Sequence, residues 1–528
     1  MPPRLRPLIS ALADGPILYP FLITAYPILF AWSHNIEVLT LFTNVAKLAM
    51  HLAVAMAITL GAVALLGLIL KDWRRTALIV GALLVMFFGY GHVRQFIMDA
   101  DFPGYPRHKY FLPVWAGLGL AGSYIALRVR GDLRNVTNML NVIAAFLVII
   151  SLIDIASFKL SPGARSSAFS GGAATSASVT GTQSETGRVS PDIYYIIADA
   201  YTNSLNLQER FGYDNSEFTG YLTGKGFFVN YDSRPNYPET FASLASSLNM
   251  EHLDYLADAV PEGSNPLTVH ANLIRGNKVM SFLRARGYKI LQFKQGWLDR
   301  ENDGRGDLYV GCEKGTYFRY FGGDFTEVLF STTLLDPFLK RFGVVQSGLR
   351  VRRLCDFSRI IEVTDTPGPK FVFAHLAVPH PPWVFGPNGE EVQSETAEHL
   401  YLGEQGYLDQ LIFVNKKLRE VVDGLLTGQD NPPVIIIQGD HGSGFLGDAP
   451  DEDAYREKMG ILNAYHLPNG GNDLLYESIT PVNTFRVVFN HYFGQDFGLL
   501  DDTSHFQPTG TAAFKYLDVT TIVSERSD

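Results

Sequence analysis

The 528-residue sequence predicts two parts in series: a transmembrane domain of five helices, then an α/β domain with a mainly parallel central sheet. Three observations carry this. Five apolar stretches stand in the first 160 residues, each about the ~20 residues that a helix needs to cross ~30 Å of hydrocarbon. A Ser/Gly/Ala/Thr run follows them. Beyond it, short β-branched and aromatic runs alternate with amphipathic stretches, the pattern of parallel strands covered by helices.

The apolar stretches are 16–33, 45–70, 76–97, 110–127 and 136–158. Buried helices of a soluble bundle are the alternative, but five in a row with only short polar breaks argue against it. A cleavable signal peptide would account for one stretch only. Lys and Arg gather before the first stretch (Arg4, Arg6), after the second (Lys71, Arg74, Arg75) and after the fourth (Arg128, Arg130, Arg134). The loop near 34–44 has Glu37 and no Lys or Arg; that near 98–109 mixes Asp99 and Asp101 with Arg107 and Lys109. Basic loops stay in the cytoplasm, so the N-terminus is expected inside and everything after about residue 158 outside. Trp32 and Trp115, near span ends, suit an interfacial belt.

Residues 161–190, SPGARSSAFSGGAATSASVTGTQSETGRVS, have no hydrophobic period and read as a flexible linker. The expected organisation is therefore 1–160 membrane domain, 161–190 linker and 191–528 outer α/β domain. Charge divides the same way. Residues 1–160 hold 13 Lys+Arg against 7 Asp+Glu, a net of +6, and the remainder holds 30 against 46, a net of −16. An acidic outer domain argues against nucleic acid as partner. It leaves a phosphate-bearing substrate open, because a bound metal inverts the local charge.

The buried runs of the outer domain are Ile193–Ala198, Tyr288–Phe293, Phe371–Leu376 and Val434–Ile437, with helical candidates at 216–226, 275–287 and 405–427. The two cysteines, Cys312 and Cys355, are both in this domain. An oxidising compartment favours a bridge between them; two separate buried thiols are the alternative.

Two of these strands end in potential ligands. Ile193–Ala198 runs into Asp199, and Val434–Ile437 continues through Gln438–Gly439 into Asp440, His441 and Gly442. Ligands of open α/β sheets bind beyond the carboxyl ends of the strands, and Asp, Asp and His suit a divalent metal, Zn²⁺ or Mn²⁺. A strand-end Asp alone is more often a cap. The GDHG tetrapeptide is more specific, with two donors side by side between glycines. In NYPETFASLASSLNM, Pro238 precedes a helical run that starts near Thr240. A hydroxyl there is ordinarily a cap, but the same place suits a nucleophile that attacks an anion held by the helix N-terminus. In FVFAHLAVPHPPW, His375 and His380 flank a Pro-rich turn and are open to three roles: substrate ligand, general acid or further metal ligand.

The order of these elements, strand–Asp199, Thr240 at a helix start, HLAVPHPP and GDHG, resembles the alkaline phosphatase/sulfatase superfamily in its sulfatase-like branch, over about residues 190–495. Five spans before such a domain also resemble the lipoteichoic acid synthases and the lipid A phosphoethanolamine transferases. The resemblance implies a bacterial inner-membrane enzyme with a periplasmic catalytic domain acting on a membrane lipid or an envelope glycan. It implies a catalytic Thr240 that forms a phospho-enzyme, one essential divalent metal held by Asp199, Thr240, Asp440 and His441, and substrate-side His375 and His380. Three features depart from the patterns. No C/S-x-P-x-R motif surrounds Thr240, Asp199 is followed by Ala200, and the transferases usually have Glu where this chain has Asp199. For a second metal His375, His380, His466 and His491 are available, with no clean triad among them. The rival expectations are a phosphodiester or sulfuric ester hydrolase, and an inactive scaffold for envelope assembly.

Overall fold

The computed structural model describes residues 15–36, 45–99, 108–129, 131–160, 190–261, 264–293, 307–311, 324–341, 344–392, 403–428, 431–447, 451–508 and 513–524. Arg4, Arg6, Glu37, Asp101, Arg107, Arg130 and Cys312, and the linker up to residue 189, lie outside the described residues. Cys355 is disulfide-bonded. The chain divides into two compact units, Met1–Ser161 with Lys314–Gln346, and Pro162–Glu313 with Ser347–Asp528.

Among the described residues up to 160, the first unit holds five helices: α1 (Tyr19–His34), α2 (Val45–Leu70), α3 (Trp73–Asp99), α4 (His108–Arg128) and α5 (Arg134–Leu160). Four of them, α2 to α5, are long and apolar enough to cross a membrane. The fifth, α1, has 16 residues, about 24 Å at 1.5 Å per residue, so the expectation of five full-length spans is met by four. Half of α1 is buried, and Ile28, Leu29 and Trp32 lie in a core with Leu48 and Phe88. Trp32 is thus an internal packing residue rather than a member of an interfacial belt. Trp115 likewise donates its indole N–H to Met86 O at 2.9 Å. The remaining apolar surface faces outward: Ile58, Leu65, Leu68, Leu120, Val142 and Phe146 are all exposed. Exposed apolar area on this scale marks a surface solvated by lipid. A helix Asp324–Ser331 and a short helix Asp336–Arg341 belong to this unit too, although both fall within the 191–528 expected for the outer domain.

The second unit is built on a seven-stranded sheet whose strands are β1 (Ile193–Ala198), β2 (Phe228–Asn230), β3 (Lys289–Phe293), β4 (Leu308–Val310), β5 (Lys370–Leu376), β6 (Val434–Gln438) and β7 (Asn463–His466). Their order is β2-β7-β6-β1-β5-β3-β4. The run β6-β1-β5-β3-β4 is parallel, and β7 and β2 add an antiparallel edge. This is the mainly parallel α/β sheet that the sequence predicts. Every residue of β1, β5 and β6 is buried, as expected of strands covered on both faces. Lys370, the one charge in those strands, bonds Asp192 Oδ2 at 2.6 Å and the Thr364 and Thr366 carbonyls at 3.1 Å each.

The covering helices include α6 (Thr240–Asn249), α7 (Pro266–Arg275), α8 (Val344–Glu362), α9 (Glu404–Leu426) and α10 (Pro481–Phe493). Eight of ten α6 residues are buried, and the Tyr195 hydroxyl of β1 reaches its Ser247 at 3.1 Å. On α7, His270 is buried against the Phe514 ring, with the Tyr516 hydroxyl 3.0 Å from Nε2. Desolvation lowers its pKa to about 3. The unfolded chain, at an ordinary value near ~6.5, takes up a proton before the folded one does. The stability that neutral His270 supports is complete above that value and lost as pH falls toward about 3, at roughly 1.4 kcal/mol per pH unit. Urea unfolding of full-length protein between pH 6.5 and 4 should therefore show a shallower pH slope in His270→Asn than in the wild type. Equal slopes would remove His270 from the acid response.

Candidate active site

Three adjacent parallel strands bring the candidate residues together. The register pairs Ile197 of β1 with His375 of β5 on one side and Gln438 of β6 on the other. Asp199 and Asp440, each two residues further on, leave the sheet at the same level, at the carboxyl ends where such sheets bind ligands. His375 Nε2 lies 3.6 Å from Asp199 Oδ2 and 3.5 Å from Asp440 Oδ2. His441 Nε2 lies 3.4 Å from Asp199 Oδ1 and 3.9 Å from Asp440 Oδ2. Donor atoms of Asp199, His375 and Asp440 fall within 4.8 Å of one another.

The backbone fixes each ligand. Ala200, directly after Asp199, has φ +62°, a left-handed conformation that is costly for a residue with a Cβ. Its N–H donates to Asp440 Oδ1 at 3.0 Å, as does the His441 N–H. One carboxylate oxygen of Asp440 is thereby anchored and the other is left facing the histidines. His441 Nδ1 contacts Gly442 O at 2.8 Å. A carbonyl accepts only a proton, so Nδ1 carries one, and Nε2 is the nitrogen turned to the carboxylates, the position where an ion would take the place of a proton. A Cβ on Gly442 would sit 2.0 Å from Glu457 O, so only glycine lets the GDHG turn close this tightly.

Electrostatics describe a site that attracts a cation. Burial opposes a charge on His441, but Asp440 and Asp199 outweigh it and raise its pKa to about 10. Burial also opposes a charge on His375, and the same two carboxylates outweigh it and raise its pKa. For Asp440, desolvation is outweighed by His441, His375 and the Thr240 hydroxyl, and its carboxyl is held well below the usual range. Asp199 Oδ1 is buried and accepts no hydrogen bond. A buried carboxylate oxygen left this way, beside an imidazole nitrogen, is the donor chemistry of a metal site. The residues present therefore fit a divalent ion.

Thr240 is the first residue of α6, with Glu239 in the N-cap position and no side-chain cap. Its hydroxyl instead helps to hold the Asp440 carboxyl below the usual range. The dipole of α6 adds partial positive charge at its N-terminus, which favours an anion there. His380 follows β5 in a turn with cis bonds at Val378–Pro379 and Pro381–Pro382. Its N–H donates to Asp199 O at 3.0 Å, its Nδ1 bonds Pro381 O at 2.8 Å, and its ring lies 6.3 Å from that of His441. Asp199, Thr240, His375, Asp440 and His441 are therefore assembled in one place, with His380 beside them. His466 and His491 lie apart from the cluster, bonded to Pro433 O at 2.9 Å and Asn469 O at 3.1 Å.

Several supporting residues carried no motif in the sequence. Arg353 of α8 donates to Pro382 O at 2.7 Å, and Gln410 of α9 donates to Pro379 O at 3.1 Å and His380 O at 3.0 Å, which clamps the His380 turn. Buried Glu457 accepts from Ser443 Oγ, Phe445 N and Leu446 N at 2.6–2.8 Å, and holds the loop after GDHG. Lys458 pairs with Glu239 at 3.1 Å.

No known family pattern and no curated protein sequence matches the chain. Among solved structures, the chain is similar to the zinc complex of the C-terminal periplasmic domain of EcEptC from Escherichia coli, with 12% identity, 63% of this chain and 94% of that one covered, and a TM-score of 0.40. It is similar to the C-terminal periplasmic domain of the phosphoethanolamine transferase EptC from Campylobacter jejuni, with 12% identity, coverage of 59% and 92%, and a TM-score of 0.35. A 2-O GAG sulfatase matches with 12% identity, coverage of 64% and 75%, and a TM-score of 0.37.

Proposed function

We propose that the chain is a membrane-bound, metal-dependent phosphotransferase or hydrolase that acts on a phosphodiester through Thr240. The observation that supports this most is the convergence of one hydroxyl, two carboxylates and two imidazoles at the ends of β1, β5 and β6. A divalent ion, Zn²⁺ or Mn²⁺, held by Asp199, His375, Asp440 and His441 would polarise the phosphoryl group and favour the alkoxide of Thr240. This set puts His375, which the resemblance places on the substrate side, where the resemblance has Thr240, because the His375 Nε2 faces both carboxylates.

The Thr240 hydroxyl stands beside Asp440 and helps to hold its carboxyl down, which keeps the attacking oxygen next to the proposed ion. Attack by this alkoxide, whose proton is released to bulk water, forms a bond from Thr240 Oγ1 to phosphorus and breaks the ester bond to the leaving alcohol. The N-terminal N–H groups of α6 favour the phosphoryl oxygens. His380, half-buried beside His441, donates the proton that the leaving oxygen takes. A second alcohol, or water, resolves the phospho-threonine. A threonine hydroxyl outside any C/S-x-P-x-R motif favours phosphoryl over sulfuryl chemistry. The loop charges support an α/β unit outside a bacterial inner membrane, where a phospholipid headgroup or an envelope glycan is within reach.

Intact-protein mass spectrometry tests the reading. Full-length protein with mixed bacterial phospholipids and Zn²⁺ or Mn²⁺ should gain the mass of a phosphorylated headgroup while diacylglycerol is released. Free phospho-headgroup with no adduct would make the enzyme a hydrolase. Bound metal with no turnover of any phosphodiester or sulfate ester would leave the scaffold reading.

A further inference from the structure

We propose that Asp324–Arg341 is a second membrane anchor for the α/β unit, independent of the linker at 161–190. The chain leaves the α/β unit after Glu313, passes through the membrane unit as Lys314–Gln346, and returns at Ser347. The two units are therefore joined by three chain passages rather than one.

The described part of the excursion is seated in the helical unit. Phe325 is 1% exposed, and its ring meets those of Trp32 and His51 edge-on, each at 5.2 Å. Thr326 Oγ1 lies 3.1 Å from His51 Nε2. Leu329 joins the apolar core of Ile28, Leu29, Trp32 and Phe88. Next comes a backbone exchange: Gly91 N donates to Thr332 O at 2.9 Å, and Leu334 N donates to Phe87 O at 2.8 Å. Gly91 N and Phe87 O are the pair that an i→i−4 bond of α3 would join, so the excursion is stitched into the helix ladder itself. A Cβ on Gly91 would lie 2.6 Å from the Thr332 Cα. Buried Asp336 faces His108 at 3.8 Å, and His108 bonds the Tyr90 hydroxyl at 2.8 Å.

Trp32 ends α1, His51 begins α2, Phe87 to Gly91 lie in the later half of α3, and His108 begins α4. All four lie in the half of the bundle away from Lys71, Arg74 and Arg75. That is the end from which an external domain would send a segment. Within a membrane, irregular backbone persists only where protein satisfies its polar groups, and Phe87 and Gly91 satisfy those of Leu334 and Thr332. Leu335 and Phe338 stay exposed beside it, as suits side chains that meet lipid.

The test is to place a specific protease site inside residues 165–185 of the full-length chain, cut it in membrane vesicles, wash with high salt and separate membrane from supernatant. The cut 191–528 fragment is expected to stay with the membrane. Phe325→Asp, or Gly91→Leu on the receiving helix, should move the bulk of it to the supernatant after the cut, and leave each uncut chain in the membrane. Limited proteolysis of the released fragment checks that the α/β unit is folded. Release of the wild-type fragment by the cut alone would overturn the proposal. Retention of the wild-type fragment and of both variants would also overturn it, because another surface would then hold the unit.

Discussion

Thr240→Ala is expected to abolish turnover and to leave the fold and bound metal in place. Thr240 is half-buried at the start of α6, and its hydroxyl helps to hold the Asp440 carboxyl down. Removing it takes away the attacking atom but none of the four groups proposed to hold the ion. The Cβ and helix remain, so packing of the buried Ala242–Asn249 face is unchanged. Loss of a nucleophile in comparable constellations costs about 10³–10⁶-fold in kcat. A purely structural cap would behave differently. Capping losses are about 1 kcal/mol of stability, and activity would follow the folded fraction. Two readouts separate these cases. Metal content and unfolding midpoint should match the wild type, while the headgroup adduct in the intact mass vanishes. Thr240→Ser, which keeps the hydroxyl without the methyl, should retain an adduct. Near wild-type turnover in Thr240→Ala would sink the covalent mechanism and move the attack to a water.

The parts of this molecule legible in sequence are those where local pattern and tertiary demand coincide. β1, β5 and β6 are buried on both faces, so they read as continuous apolar runs, and the structure places them within one residue of the expected bounds. The chemistry at their ends was visible because Asp199 and Asp440 stand where an apolar run stops. The outlying strands β2, β4 and β7 have three to four residues each. They carry too little periodicity to announce themselves, and their pairing comes from neighbours distant in the chain. The place of His375 is of the same kind. Nothing local distinguishes it from His380, five residues on. Only the parallel register with Ile197 sets its Nε2 against both carboxylates and sends His380 around the turn. The excursion through the helical unit was hidden for another reason. Its segment reads as an ordinary short amphipathic helix, and the Trp32, His51 and Gly91 that receive it lie more than 200 residues earlier.

Asp440→Asn is the substitution expected to remove metal and activity together. Asp440 Oδ1 accepts the N–H groups of Ala200 and His441 at 3.0 Å. Asparagine keeps an oxygen for both, so the left-handed turn at Ala200 and the GDHG loop stay satisfied. What changes is the other atom, which faces His375 Nε2 at 3.5 Å and His441 Nε2 at 3.9 Å. An amide N–H₂ there supplies neither the charge nor the lone pair that an ion needs. Loss of outer-shell partners alone costs 10–100-fold in metal affinity, so loss of a ligand should cost at least about 100-fold, read by competition with a chelator. The histidines lose their counter-charge as well, and their pKa values should fall from the raised positions that Asp440 helps to maintain. The same titration decides between His375 and His380. His375→Asn should lose the ion as Asp440→Asn does, because its Nε2 lies between the carboxylates. His380→Asn should keep the ion and lose turnover, because its Nδ1 is committed to Pro381 O and its ring stands outside the cluster. Full metal affinity in His375→Asn would return that residue to the substrate side and leave Asp199, Asp440 and His441, with Thr240, as the ligand set.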